Sequence, residues 1–350
     1  MGLQNYIFYK IITALFFFWH KSPINNILAR IQLYFYLIMH INTLFRILLF
    51  VLFILPCSLI AQPAFPTGKQ DQKLQQKLNE LTRNFKGGVG IYVRHLKTGR
   101  TAAIQADTLF PTASMVKVPI MIGLFDKIHK GELDYHKELV YRDSLLYPGV
   151  DILGAFADSA KIAMSKVVML MITTSDNTAS LWSQQLAGTG TAINQWLEQN
   201  GFAHTRVNSR TPGRQANQKQ YGWGQTTPRE MAELLVRIRE GKVISPDASE
   251  RMYRNLTRIY WDAEALSQIP PTVQVASKQG AVNESRSEVV LVNAPSGDYV
   301  FCVITKNQQD GSWESNNEGF VLLRNVSRLL WQHFEPKSTW VPTKESEKWN

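Results

Sequence analysis

Ser114 and Lys117 lie three residues apart in the stretch Pro111-Thr112-Ala113-Ser114-Met115-Val116-Lys117-Val118-Pro119. They are the pair in this chain best placed to do chemistry together. At the start of a helix, residues three apart share one face. A serine hydroxyl is a weak nucleophile until a base comes within hydrogen-bond reach, and a lysine held neutral by burial and nearby positive charge is such a base. The helix N-terminus adds backbone N–H groups and a positive dipole end, both suited to an anionic intermediate. The spacing alone carries little weight, because a chain of 350 residues holds roughly one Ser-x-x-Lys by chance. Two further groups keep it company: Ser175-Asp176-Asn177 between two helical runs, and Lys278-Gln279-Gly280 at the end of a strand-like run. The plain alternatives are a helix cap for the first and a solvent-facing lysine for the second.

Composition narrows the classes of protein this can be. The formal net charge is +10, but residues 1–61 hold Lys10, Lys21, Arg30 and Arg46 with no acid, leaving +6 once those four are set aside. Lysines and arginines are spread rather than clustered, so no nucleic-acid partner is expected. Of the two cysteines, Cys57 falls in an apolar leader and Cys302 in a strand-like run, which leaves no disulfide framework. The histidines form no metal-binding pattern, His129 and His136 being the closest pair. Neither a metal nor a cofactor is expected.

The elements that must position the three groups follow from periodicity. Residues 1–38 read as an over-called N-terminal extension, or else a further membrane segment. Residues 39–61 read as a signal peptide, with Met39 as the start, Arg46 as the positive region, Ile47–Leu55 as the apolar core and a cut after Ala61. Left uncleaved, the same stretch would be a membrane anchor. The catalytic domain is placed at 62–335 and a polar, frayed tail at 336–350. Leu74, Leu78, Leu81 and Phe85 mark an amphipathic helix, and strands at Val89–Arg94 and Arg100–Gln105 flank the turn Lys97-Thr98-Gly99. The Ser114 helix should run to about Lys130 with Gly131 as its cap. Helical signals follow at 164–173, 178–185, 191–200 and 228–241. Strands are expected at 273–277, 288–293 and 298–305, the last two joined at Ser296-Gly297, and a helix at 320–334 closes the domain. The implied fold is α/β (α+β). An antiparallel sheet is built from both chain ends (72–110 and 270–335) with flanking helices, and 111–269 form an all-helical insertion.

Order, spacing and flanking elements of Ser114-x-x-Lys117, Ser175-Asp176-Asn177 and Lys278-Gln279-Gly280 resemble the class A β-lactamases and penicillin-recognising serine enzymes over residues 72–335. The resemblance implies that Ser114 attacks a carbonyl, Lys117 acts as base or its partner, and Ser175 relays a proton to the leaving nitrogen. It implies that Asn177 orients Lys117 and substrate, and that Lys278 and Gln279 face the substrate carboxylate. The backbone N–H groups of Ser114 and Ala281 would form the oxyanion hole. Arg286 lies where a further carboxylate-binding arginine could sit. Two departures bear on the outcome. No Asp or Glu occurs between Glu198 and Glu230, where such enzymes carry the glutamate that activates the deacylating water. The segment Ser209–Asn217 offers only cationic, amide and hydroxyl groups, leaving Lys117 and Tyr221 as substitute bases. Secondly, Gln279 stands where a hydroxyl residue is usual.

The resulting expectation is an exported, periplasmic or secreted monomer that is acylated at Ser114 by β-lactams or related amides. Hydrolysis of β-lactams, and so antibiotic resistance, follows from the resemblance, with deacylation in question. A D-Ala-D-Ala peptidase or esterase with the same acyl-enzyme chemistry is one alternative. A non-catalytic binder of cell wall or a partner protein is another.

Overall fold

The computed structural model describes residues 68–149 and 151–343, with isolated positions before residue 68. The predicted leader lies outside the described residues. Among the described residues no helix is long and apolar enough to cross a membrane. The described residues from 68 to 343 belong to one compact unit.

Strand β1 (Lys69–Gln70) leads into helix α1 (Gln72–Thr82). Asp71 starts that helix by accepting from Leu74 N at 3.0 Å, and Leu74 and Leu78 form its buried stripe. Strands β2 (Gly88–His95) and β3 (Arg100–Ile104) make the expected hairpin, with Gly99 at φ +66° in its turn. After β4 (Phe110–Pro111) comes α2 (Lys117–His129). The middle of the chain holds β5 (Glu138–Val140), β6 (Lys161–Ala163), α3 (Met164–Met169), α4 (Asn177–Leu186) and α5 (Thr189–Gln199). It continues through β7 (Arg206–Val207), α6 (Gln215–Tyr221), β8 (Gly224–Thr226), α7 (Pro228–Arg239) and α8 (Pro246–Leu256). Strands β9 (Val275–Val282), β10 (Ser285–Val292) and β11 (Tyr299–Lys306) precede the closing helix α9 (Glu318–Phe334).

The main sheet runs β1-β3-β2-β11-β10-β9, so both ends of the domain meet at β2 and β11. Period-two alternation sorts its side chains between two cores. On β11, Val300, Cys302 and Ile304 face the helical part, while Tyr299, Phe301 and Val303 face α1 and α9. The β-branched and aromatic content of these strands is what a sheet buried on both faces requires.

Four expectations change. The sheet is antiparallel except for β1, which pairs parallel with β3. The insertion is not all helical, since it carries the small sheets β4-β8-β7 and β5-β6. Strand β9 runs on to Val282, so Lys278-Gln279-Gly280 sits within it rather than at its end. The start of the tail is held, with Trp340 against the outer core and Trp331 Nε1 donating to Ser338 Oγ at 3.1 Å.

Candidate active site

Ser114 lies in a 3₁₀ turn, Ala113–Val116, that feeds directly into α2. The turn is tight enough that Ala113 takes φ +44°, a left-handed conformation costing a side-chain-bearing residue about 1 kcal/mol. Starting α2 only at Lys117 puts Pro119 in its first turn, where a missing N–H loses no helix bond.

Lys117 Nζ is completely buried. It lies 3.1 Å from Ser114 Oγ, 3.0 Å from Ser175 Oγ, 2.6 Å from Ser175 O and 2.9 Å from Asn177 Oδ1. Two of these neighbours, the Ser175 carbonyl and the Asn177 amide oxygen, can only accept. A neutral amine has two N–H groups, which those two oxygens take, and its one lone pair then faces the hydroxyls of Ser114 and Ser175. Burial drives that state, pulling the Lys117 pKa down to about 7 against the opposing pull of Asp176.

Ser175 closes the π-helical turn Leu170–Thr174 in a left-handed conformation, φ 63° and ψ 31°. That turn of the chain lets its carbonyl and its hydroxyl reach the same lysine. Asp176 then caps α4, accepting from Ala179 N at 2.7 Å, and takes Ile152 N and Leu153 N at 2.6 and 2.8 Å. Of the triplet, the middle residue holds the backbone while its neighbours face the nucleophile.

From the sheet side, Lys278 Nζ reaches Ser175 Oγ at 3.1 Å, Gln279 O at 3.0 Å and Gln279 Oε1 at 2.8 Å. It too is fully buried. Burial first, and the Lys117 charge second, hold its pKa well below the usual lysine range, opposed by Glu288. Gly280 brings β9 against the nucleophile: a Cβ there would stand 2.8 Å from Ser114 N and from Thr112 O. Ala281 and Ser114 both line the cleft, of about 610 Å³, that opens beside them. The arrangement can move a proton from Ser114 to Lys117, and through Ser175 towards a leaving group.

Five predicted residues, Ser114, Lys117, Ser175, Asn177 and Lys278, converge within hydrogen-bond reach. Gln279 is adjacent, its side-chain oxygen held by Lys278. Arg286 is a correction. It is fully buried, donates to the carbonyls of Val282, Asn283, Ser285 and Ser312, and lies between the rings of Trp313 and Phe320 at 4.5 and 4.7 Å. Strand parity explains this. Ser287, paired with Gly280, faces the nucleophile, and Arg286, one residue earlier, faces away.

The carboxylate-free segment also sits differently. Ser209 and Thr211 are buried, the first against Gln184 and the second against Gly190. The cleft wall comes from Gln218 to Trp223, which includes Tyr221. Tyr147 and Trp223 close that side edge to face, 5.0 Å apart. Neither aromatic was singled out by sequence, since nothing local marks their pairing. Glu284, on the turn between β9 and β10, is the one carboxylate lining the cleft among the described residues. No cluster of three or more potential metal ligands occurs among the described residues.

Comparison with known proteins agrees with this geometry. Residues 73–334 match the model of the beta-lactamase enzyme family. Beta-lactamase VEB-1 of Pseudomonas aeruginosa is 19% identical over 278 residues, covering 76% of this chain and 91% of that protein. The structure of PBP-A superposes with a TM-score of 0.69 at 27% identity, covering 77% of this chain and 99% of that one. A beta-lactamase from Sphaerobacter thermophilus gives 0.67 at 23% identity, covering 76% and 98%. The chain belongs to the beta-lactamase enzyme family and is a β-lactamase-like serine hydrolase.

Proposed function

We propose that this enzyme forms an acyl-enzyme at Ser114 with β-lactams or related amides and releases the acyl group slowly. The observation that carries the reading is the fully buried Lys117 amine 3.1 Å from Ser114 Oγ. In acylation the Ser114 proton passes to the Lys117 lone pair as Oγ bonds to the carbonyl carbon. The backbone N–H groups of Ser114 and Ala281 receive the oxyanion. Ser175, touching both lysines, delivers a proton to the nitrogen as the C–N bond breaks. Lys278 offers N–H donors to a carboxylate on the leaving side, whose arrival favours the protonated amine against the burial that lowers its pKa. Deacylation then lacks a loop carboxylate, and Lys117, once neutral again, is the nearest base for water. A PBP-A mutant was solved as an acyl-enzyme complex with penicillin G, with 26% identity and a TM-score of 0.69 over 78% of this chain, which supports the acylation half of the reading.

Incubation with nitrocefin tests it. The expected result is a protein mass raised by one acyl group, persisting while steady-state turnover is slow, and absent from Ser114→Ala. Fast turnover would refute the slow release, and no adduct in the wild type would refute the β-lactam reading. The missing loop carboxylate also favours a D-Ala-D-Ala peptidase, for which release of D-alanine is the assay. The apolar run Ile47–Leu55 supports an exported protein, and the N-terminal residue of the mature chain is its test.

A further inference from the structure

We propose that the cleft wall between β7 and β8 selects acyl donors carrying a second anionic group on the acyl side of the scissile bond, with Lys219 as the residue that reads it. The inference rests on the acyl-transfer reading above and deepens it. From Gln199 to Arg229 the chain has Arg206, Arg210, Arg214, Lys219 and Arg229 and no acid. Arg229 is paired with Asp107 at 2.7 Å. Among the described residues Arg206 and Arg214 are met only by neutral acceptors: the carbonyls of Phe202 and Thr205 for the first, and the side-chain oxygens of Asn208 and Gln225 for the second. Their positive charge is hydrogen-bonded and not neutralised, so it adds to the potential at this wall.

Lys219 is on α6, exposed, lining the cleft, and without a hydrogen bond or ion pair among the described residues. The other cleft lysine, Lys306, is already engaged, donating to Leu109 O at 2.8 Å with its ammonium 4.4 Å from the centre of the Phe110 ring. The single lining carboxylate, Glu284, is on the turn that follows β9, so it belongs to the sheet wall and not to the β7–β8 wall. Direction follows from what lines the space. Ser114, Asn177 and the β7–β8 wall line one space, whereas Lys278 is fully buried against the Ser175 hydroxyl. An acyl side chain directed from Ser114 past Asn177 along this space reaches the β7–β8 wall and Lys219.

Benzylpenicillin and carbenicillin differ by one carboxylate on the acyl side chain and are the matched probes. Adduct formation at Ser114, followed by mass against time, should favour carbenicillin about two- to fivefold, the range for an exposed ion pair. The preference should fade between about 50 and 500 mM salt. It should vanish in Lys219→Gln and invert in Lys219→Glu. An equal ratio in wild type and both variants, or a wild-type preference for benzylpenicillin, overturns the assignment. Absence of an adduct with either compound would instead refute the acyl-enzyme reading beneath it, and the inference with it.

Discussion

Acidification is the perturbation that most directly tests the base assigned here. Lys117 must be uncharged to take the Ser114 proton, and burial places its pKa at about 7. A lysine whose pKa is lowered holds its proton only below that value, so acylation is lost as pH falls through 7 and is nearly full above 8. From pH 8 to pH 6 the neutral fraction drops about tenfold, equivalent to about 1.36 kcal/mol in the effective barrier. Replacing the lysine by arginine separates base from charge. Arginine keeps donors for the acceptors that Lys117 now meets, Ser175 O and Asn177 Oδ1, but a guanidinium stays charged across the whole range. Loss of a general base is worth about 10²- to 10⁴-fold, so Lys117→Arg should acylate at least 10²-fold more slowly and show no acid limb near 7. Second-order acylation constants, taken from adduct mass against time between pH 5.5 and 9, measure both effects. A wild-type profile flat between pH 6 and 8, or an arginine variant within tenfold of wild type at pH 8, would refute the argument.

Glu288 is fully buried, accepts from Ala265 N at 3.0 Å, and has its pKa pushed by burial to about 8. The folded chain thus keeps a proton that the unfolded chain releases near pH 4.5, so stability falls as pH rises between those values. Glu288→Gln removes that dependence and should stabilise by about 3 kcal/mol at pH 7 and by almost nothing below pH 4. Denaturant melts at the two pH values check it, and an equal gain at both would contradict it. For Arg286→Leu the prediction is the reverse of what its sequence position suggests: a loss of about 1–3 kcal/mol, because several buried carbonyls lose their donor, with the concentration dependence of acylation moving less than about twofold. A large rise in that dependence, with stability unchanged, would restore the arginine to the substrate.

What could be read from the chain, and what could not, divides along one physical line. Relations set by one helical turn or by a short triplet were legible, because spacing fixes them: Ser114 with Lys117, and the hydroxyl and amide of Ser175 and Asn177 on either side of a capping aspartate. Relations set by which face a strand turns to the core were legible only if its register was known. Arg286 and Ser287 differ by one position, and that one position decides which of them meets Gly280 and the nucleophile. Relations set by packing between distant segments left no local trace. Tyr147 against Trp223 is such a case, and so is the burial of Thr211 against Gly190, while Gln218–Trp223 line the cleft.

The property that matters most for the chemistry belongs to this last group. A lysine three residues after a serine is ordinary; one whose amine is sealed from water is not, and nothing within the four-residue motif does the sealing. It needs Ser175 in a left-handed turn so that a carbonyl and a hydroxyl meet Lys117 from one residue. It also needs a glycine at position 280 so that β9 can close on the Ser114 backbone, and Asn177 presented at the first position of α4. Each of these fixes an acceptor or excludes water, and together they leave the amine's lone pair no partner except hydroxyl groups. The reactivity of Ser114 is thus a consequence of long-range packing acting on a short-range pair. For the same reason a substitution that loosens the approach of β9, even one distant from Lys117 in sequence, should raise the pKa of that lysine and slow acylation before it measurably lowers stability.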